Sequence, residues 1–574
     1  MTAPAVKNDI KHRIAVARGA QKADLVLHGG SLVNVFSGEI YQTDVAVCGG
    51  KIAGLGSYKG HTVIDVSSKF ILPGFIDSHV HIESSMLSPA EFARAVIPHG
   101  TTAVIADPHE IANVLGKTGI KYMLSASEGL PLDFYFMLPS CVPTTSLETS
   151  GARLTAADLL PFLKHQRVLG LAEVMNYPGV LHGEPDVLRK LKAFSHTVID
   201  GHAPGLSDYD LSAYAGAGIS SDHECTTANE AQRKVRLGMT VFIREGSVAK
   251  DLEALLPAVT RANARFFTLA TDDFQPGDVK RGSINQLIKK AIRLGLDPVV
   301  AVQMATINAA RHFGLRQKGA VLPGYDADMV VIDDLKNFAV EKVFKAGKLV
   351  AEGGTCITDI RHRRNERTRG TVRMGPIEKK DIMMKAKTGL ARVIELIPDR
   401  IETKCSIMPV TVQGGYIVSD IHNDILKLVV IERHKATGNR GVGLIKGLGL
   451  KAGAIAATIA HDSHNIITTG ITDEDILTAV SRVQKIQGGL VVVNNRKVIA
   501  EIPLPVAGLM SDKRLDVVVN KLEEIDLAVK GLGVTCEHPF GILSFLALPV
   551  IPELKLTDRG LVDVKQFKFV DLFV

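Results

Sequence analysis

Two histidines, His79 and His81, stand one residue apart where the apolar string ILPGFIDSHVH ends. In an extended chain residues i and i+2 point to one face, so both imidazoles reach the same side. Farther along, four more polar residues follow or close short apolar runs. Glu173 closes VLGLAE, His202 follows TVIDG, His223 follows SSD, and Asp272 follows FTLAT. Four imidazoles and two carboxylates form a donor set suited to Zn²⁺, Fe²⁺ or Mn²⁺. The absence of thiolate donors argues against a purely structural zinc site.

Residues so far apart need a scaffold that gathers strand ends. Between about residues 71 and 314, strand and helix patterns alternate, as in a parallel sheet covered by helices. The expected strands end at His79, at Ala103–Asp107, Phe134–Leu138, Val168–Glu173, Thr197–Gly201, Gly218–Asp222 and Met239–Ile243, and at Phe267–Thr271. Eight strands in this span predict a (β/α)₈ barrel, whose chemistry collects at the C-terminal ends of its strands. The fold class is α/β.

Both flanks of this region read as antiparallel β. From Ala23 onward, period-2 runs are broken by Gly29-Gly30 and Gly49-Gly50, and a matching stretch runs from Lys318 to Gly354. One composite small β-sandwich, residues 1–70 with 315–360, is the economical reading, with residues 1–20 as a basic helical lead-in. Residues 370–574 form a further α+β domain, in which QGGLVVVNNRKVIAEIPLP is the clearest hairpin. Its glycine-rich piece contains no GxxxxGK[ST], so a phosphate loop is excluded. His461-Asp462-Ser463-His464 is read as turn and interdomain hydrogen bonding, or as another metal group or a lid over the barrel mouth.

PGFIDSHVH resembles the strand-1 motif of the metal-dependent amidohydrolase superfamily, and the continuation Ile82-Glu83-Ser84-Ser85-Met86 resembles its adenine deaminase branch. The resemblance covers most of the chain, the last third included. It implies that His79, His81 and Asp272 hold one metal ion and that His202 and His223 hold a second. Glu173 then stands where many relatives place a bridging carboxylated lysine. Two divalent ions, Mn²⁺ or Fe²⁺ with Zn²⁺ as the alternative, are implied as cofactors. The implied reaction is attack of a metal-activated hydroxide on C6 of adenine, giving hypoxanthine and ammonia in purine salvage, with Asp272 shuttling the proton.

The proton for N1 is expected from Glu83, which follows the HxH motif, while Ser84 and Ser85 are expected to cap the next helix. His109 and Glu110, after strand 2, are expected at the substrate or in support of the ligands. Arg244 and Glu245 either bind the purine edge or pair with each other, and Asp273 supports Asp272. A cyclic-amide hydrolase of the dihydropyrimidinase or dihydroorotase kind is the nearest rival, and the lack of lysine in GLAEVMN counts against it. A non-catalytic assembly protein on the same barrel is the second rival, but no ligand position is lost.

Composition sets the remaining expectations. Net charge is +6 over 574 residues, and the densest basic run, RHRRNERTR from Arg361, is broken by Asn365 and Glu366. This favours a solvated linker over a nucleic-acid surface. Six cysteines lie far apart without CxxC spacing, and no run approaches the roughly 18 apolar residues of a membrane span. A reduced cytoplasmic enzyme acting on a small molecule, without nucleic-acid or membrane partners, is expected. So is a homo-oligomer, with a dimer favoured.

Overall fold

The computed structural model describes residues 10–363, 365–398 and 400–574. Of the expected lead-in, residues 1–9 lie outside the described residues, and Ile10–Ala17 is helical.

Eight parallel strands build the barrel: β1 (Phe75–Val80), β2 (Thr101–Ala106), β3 (Asp133–Leu138), β4 (Val168–Val174), β5 (Val198–Gly201), β6 (Ser221–Asp222), β7 (Thr240–Arg244) and β8 (Phe267–Ala270). Each lies within a few residues of its sequence-predicted position. Every residue of β1, β2, β7 and β8 is buried, as for strands covered on both faces. Ladders join β1 through β5 in order and β6 through β8 in order. The two arcs meet where Ser220 N–H donates to Ile199 O at 2.9 Å, and where Val80 bridges Asp272.

Two glycines permit this closure by close approach. A Cβ on Gly170 in β4 would lie 1.9 Å from Val198 O, and one on Gly201 in β5 would lie 2.3 Å from Ser221 O. Neither strand could carry a side chain there and keep its neighbour.

The two flanks join in one nine-stranded sheet. Phe70–Pro73 pairs in parallel with Ala23–Asn34 and antiparallel with Met329–Ile332, linking the chain before and after the barrel. The sheet curls over one apolar core that includes Leu27, Ile52, Ile71, Met329 and Phe344.

The C-terminal region holds an eight-stranded sheet with its middle strands buried on both faces. Alternation decides which side each residue serves. Val429, Ile431, Ala454 and Ala456 face the helix Asp473–Ile486, whereas Leu428, Val430, Ile455 and Ala457 enter the core shared with the barrel. The expected hairpin is Gly489–Asn494 with Lys497–Pro503, and its loop residues Asn495 and Arg496 have φ of 50° and 61°. Positive φ at both is the type I′ geometry that matches strand twist. The glycine-rich piece contributes ordinary strands. Gly441 is bare because a Cβ would lie 2.0 Å from Thr557 O in the strand crossing over it.

All six cysteines are free thiols. No helix among the described residues is long and apolar enough to cross a membrane.

Candidate metal centre and its cavity

β1 delivers His79 near its end and His81 just beyond it. Asp272, two residues past β8, is drawn to them by the bonds that close the barrel. Asp272 N–H donates to His79 O at 2.9 Å, and His81 N–H donates to Asp272 O at 3.2 Å. This places Asp272 in the left-handed region at φ 56°, a conformation costing about 1–3 kcal/mol that surrounding structure must impose.

The six expected ligands converge. His79 Nε2 lies 3.1 Å from His81 Nε2, and Asp272 Oδ1 lies 3.5 and 3.1 Å from those two nitrogens. Glu173 stands between the two halves of the cluster. Its Oε1 is 3.6 and 3.3 Å from His79 and His81 Nε2, and its Oε2 is 2.7 Å from His202 Nδ1 and 3.3 Å from His223 Nε2. Donors bonded at 2.0–2.2 Å to one ion are spaced about 2.9–3.5 Å from each other, so these separations suit divalent ions on either side of Glu173.

Electrostatics point the same way. Burial opposes the ionisation of Glu173, yet His223 and the hydrogen bonds from His202 and His223 hold its pKa well below the usual carboxylate range. Asp272 is likewise held low, against burial, by His79 and His81. His223 is pushed up to about 9, the pull of Glu173 overriding burial. These carboxylates demand buried positive charge, which imidazole protons or a metal dication can supply, and metal binding releases those protons. His81 is oriented for ligation by its other nitrogen, Nδ1, 3.1 Å from the Asp107 carbonyl.

The cluster floors a cavity at the barrel mouth. His109, Glu110, Arg244 and Asp273 border it. His109 Nδ1 is 2.9 Å from Asp107 Oδ2 and 3.5 Å from Glu173 Oε1. Arg244 is shared among three carboxylates, Glu224, Asp251 (3.0 Å) and Asp272 (3.3 Å), and so does not pair with Glu245.

Two expected residues stand elsewhere. Glu245 turns away from the cavity, its Oε2 accepting from Leu252 N–H at 3.1 Å and its Oε1 binding Lys290. Glu83 does not border the cavity either. The chain leaves strand geometry at Ile82 for a 3₁₀ turn, so Glu83 is not carried on the strand face that presents the two histidines. Its Oε1 accepts from Ile111 N–H at 3.1 Å, and burial together with Glu110 raises its pKa to about 8. Ser84 and Ser85 do not cap the next helix. Ser84 Oγ instead lies 3.1 Å from Glu110 Oε1 and 2.5 Å from Asp273 Oδ1, and Ser85 Oγ bonds Ile82 O.

Sequence reasoning missed Glu224, whose Oε1 is 3.5 Å from His223 Nε2, because neighbours on a strand face opposite ways. The strand ends at Asp222, which frees both residues to turn inward. His461 and Asp462 border the cavity from the C-terminal domain, together with Ile401, Phe545, Leu548 and Ile551. Only the run of polar residues at 461–464 carried a signal. A further buried group of potential donors, Glu110, His461 and His464, sits beside the first cluster.

A (β/α)₈ barrel with such a cluster at its strand ends is the architecture of a metal-dependent hydrolase. Residues 70–350 match the Amidohydrolase family, and residues 400–568 match the Adenine deaminase C-terminal domain. The chain is 52% identical over 563 residues to adenine deaminase 2 of Carboxydothermus hydrogenoformans, covering 98% of this chain and 99% of that protein. It is 50% identical to adenine deaminase of Desulfatibacillum aliphaticivorans at the same coverage. A β-aspartyl dipeptidase of Fervidobacterium islandicum AW-1 is 17% identical, covers 58% of this chain and 98% of its own, and superposes with a TM-score of 0.46. The chain belongs to the adenine deaminase family.

Proposed function

We propose that this protein deaminates adenine hydrolytically to hypoxanthine and ammonia. The observation that carries the reading is the convergence of His79, His81, Glu173, His202, His223 and Asp272 into one buried cluster at the floor of a cavity. Divalent ions bound there, Mn²⁺ or Fe²⁺ in this reading, would supply Lewis acidity and acidify water toward neutral pH. His79, His81 and Asp272 would hold one ion, His202 and His223 the other, with Glu173 between them.

The rest of the chemistry falls to the protein's own groups. Asp272 accepts the proton released as oxygen bonds to C6, and returns it to the departing amine as the C6–N bond breaks. N1 must gain a proton when the ring loses aromaticity. Glu83 does not border the cavity, so that role passes to the pair that Glu110 makes with His461, Oε1 to Nδ1 3.2 Å, in which, against burial, His461 holds Glu110 well below the usual carboxylate range and itself, pushed up to about 9, carries the proton. The second proton of the water restores the one given to N1, so the balance closes as adenine plus water to hypoxanthine plus ammonia. On this reading the chain divides into a composite β unit (1–70 with 315–360), the barrel (71–314) and the C-terminal domain (370–574).

The test is ammonia release from adenine by protein reconstituted with Mn²⁺ or Fe²⁺, beside ring opening of hydantoin and dihydroorotate. Turnover of the cyclic amides without ammonia from adenine would overturn the proposal in favour of an amidase. A protein that binds no metal and turns over none of the three would indicate an assembly role.

A further inference from the structure

The cavity has two unlike sides. The barrel supplies its polar floor, and the C-terminal domain supplies Ile401, Phe545, Leu548 and Ile551. Phe545 ends the helix Pro539–Phe545 and is held in place from the barrel. His461 stacks on it with centroids 4.6 Å apart and planes 20° from parallel, and His461 Nδ1 lies 3.2 Å from Glu110 Oε1. His461 N–H donates to Ser544 O at 3.0 Å, fixing the backbone beside Phe545. The helix also sits close on the barrel, since a Cβ on Gly541 would lie 3.1 Å from Gln275 Nε2 and 3.3 Å from a Val248 methyl.

A flat heteroaromatic ring reacting at one edge needs such a two-sided site. Its edge must meet polar groups, and its π-face must leave water for an apolar surface. We infer that the C-terminal domain is the specificity element of this enzyme: Phe545, with Leu548 and Ile551, forms the wall against which the purine ring lies. His461, paired with Glu110, also positions Phe545 by stacking on it. The inference rests on the proposed purine substrate and adds which residues select it.

Stacking of a base on an aromatic side chain is worth about 5- to 150-fold in affinity. Phe545→Ala is therefore expected to raise KM for adenine and the Kd of hypoxanthine by about that factor, with bound metal unchanged. The loss should be smaller for 4-aminopyrimidine, which presents one ring instead of two, a dependence that a general loosening of the fold would not produce. Phe545→Leu, which keeps bulk at the helix end, should show an intermediate effect, and it serves as the test if the alanine variant does not fold. His461→Ala should shift KM in the same direction, and His461→Gln, which retains a polar contact to Glu110, should recover part of the loss.

Unchanged KM for adenine and unchanged hypoxanthine Kd in both Phe545 variants would overturn the inference while leaving the deaminase reading intact. Conversely, wild-type protein that binds hypoxanthine in a Phe545-dependent way but releases no ammonia from adenine would overturn the reaction and keep the wall.

Discussion

Two buried arginines show how differently the barrel and the C-terminal domain are built. Arg244, at the end of β7, is surrounded by carboxylates: Glu224, Asp251 and Asp272. Arg433, among the largest fully buried side chains of the described residues, meets backbone carbonyls and a hydroxyl: His464 O, Ala507 O at 3.1 Å, and Thr371 Oγ1 at 3.3 Å. Burial pushes the Arg433 pKa down to about 9, whereas the carboxylates carry Arg244 upward against the same burial. The barrel interior is a balance of full charges that a metal can join. The C-terminal domain satisfies this buried cation with dipoles, and to the cavity it adds the apolar Ile401, Phe545, Leu548 and Ile551 beside His461 and Asp462. One region holds the ligand cluster, and the other shapes the space above it.

The contrast breaks most decisively at the floor. Asp272→Asn keeps the shape but removes the proton acceptor, and it is expected to lower kcat for ammonia release by about 10³-fold or more. Removal of the metal by chelation should abolish activity and lower the melting temperature, since a ligand that binds only the folded state stabilises it. Both effects should be reversed in the second experiment by returning Mn²⁺ or Fe²⁺, monitored by ammonia release and by thermal denaturation. An Asp272→Asn enzyme with near-normal kcat would remove the acid–base role assigned to this residue.

Arg244→Met tests the claim that charges in the barrel hold one another. Stranding Glu224 and Asp251 without their cation should cost about 3–5 kcal/mol, read from urea denaturation of the metal-loaded protein. Arg433→Met strands no carboxylate and should cost less. Equal losses would mean that the two regions treat buried charge alike.

The same distinction explains what could be read from the amino-acid sequence. The barrel was legible because most of its strands are short apolar runs, and the six expected ligands lie in or just after five of them, β1, β4, β5, β6 and β8. Glu83 and Glu245 were misplaced at the two points where the chain leaves regular geometry, a 3₁₀ turn after His81 and the loop that pairs Glu245 with Lys290. The apolar wall had no signature at all. Phe545, Leu548 and Ile551 lie far from the barrel in the sequence, and they border the cavity because the C-terminal domain packs over the barrel mouth. Apolar side chains carry no mark that separates a substrate-facing position from a packed one.

Lys555 sharpens the comparison on the stabilising side. In the barrel, the buried Lys234 has Asp222 at 2.9 Å and Glu230 at 3.0 Å, whereas Lys555 is fully buried and donates to Ile401 O at 2.9 Å. Burial therefore lowers its pKa to about 7. Unfolded lysine titrates near 10.5, so between pH 7 and 10.5 the unfolded chain binds more protons and stability rises with pH. Lys555→Met should stabilise the protein by roughly 2–4 kcal/mol at pH 7, and the gain should shrink toward pH 10. A gain that did not change with pH would point to packing instead of charge.

The smallest expected effect lies in the seam itself. Thr144, in the loop after β3, donates to Asp462 Oδ2 at 2.5 Å, and neighbouring bonds run from Thr149 N–H to Asp558 Oδ1 at 2.8 Å and from Asn465 Nδ2 to Thr149 O at 2.9 Å. This loop ties the barrel to the domain that roofs it, and Asp462 borders the cavity. Thr144→Val keeps the shape and removes one donor from a buried carboxylate, a change worth about 1–3 kcal/mol. Because the other two bonds persist, stability should fall only toward the low end of that range, while KM for adenine rises a few-fold as Asp462 loses its anchor. A fall in stability with no change in KM would separate the strap from the cavity and confine the C-terminal domain's influence to Phe545 and its neighbours.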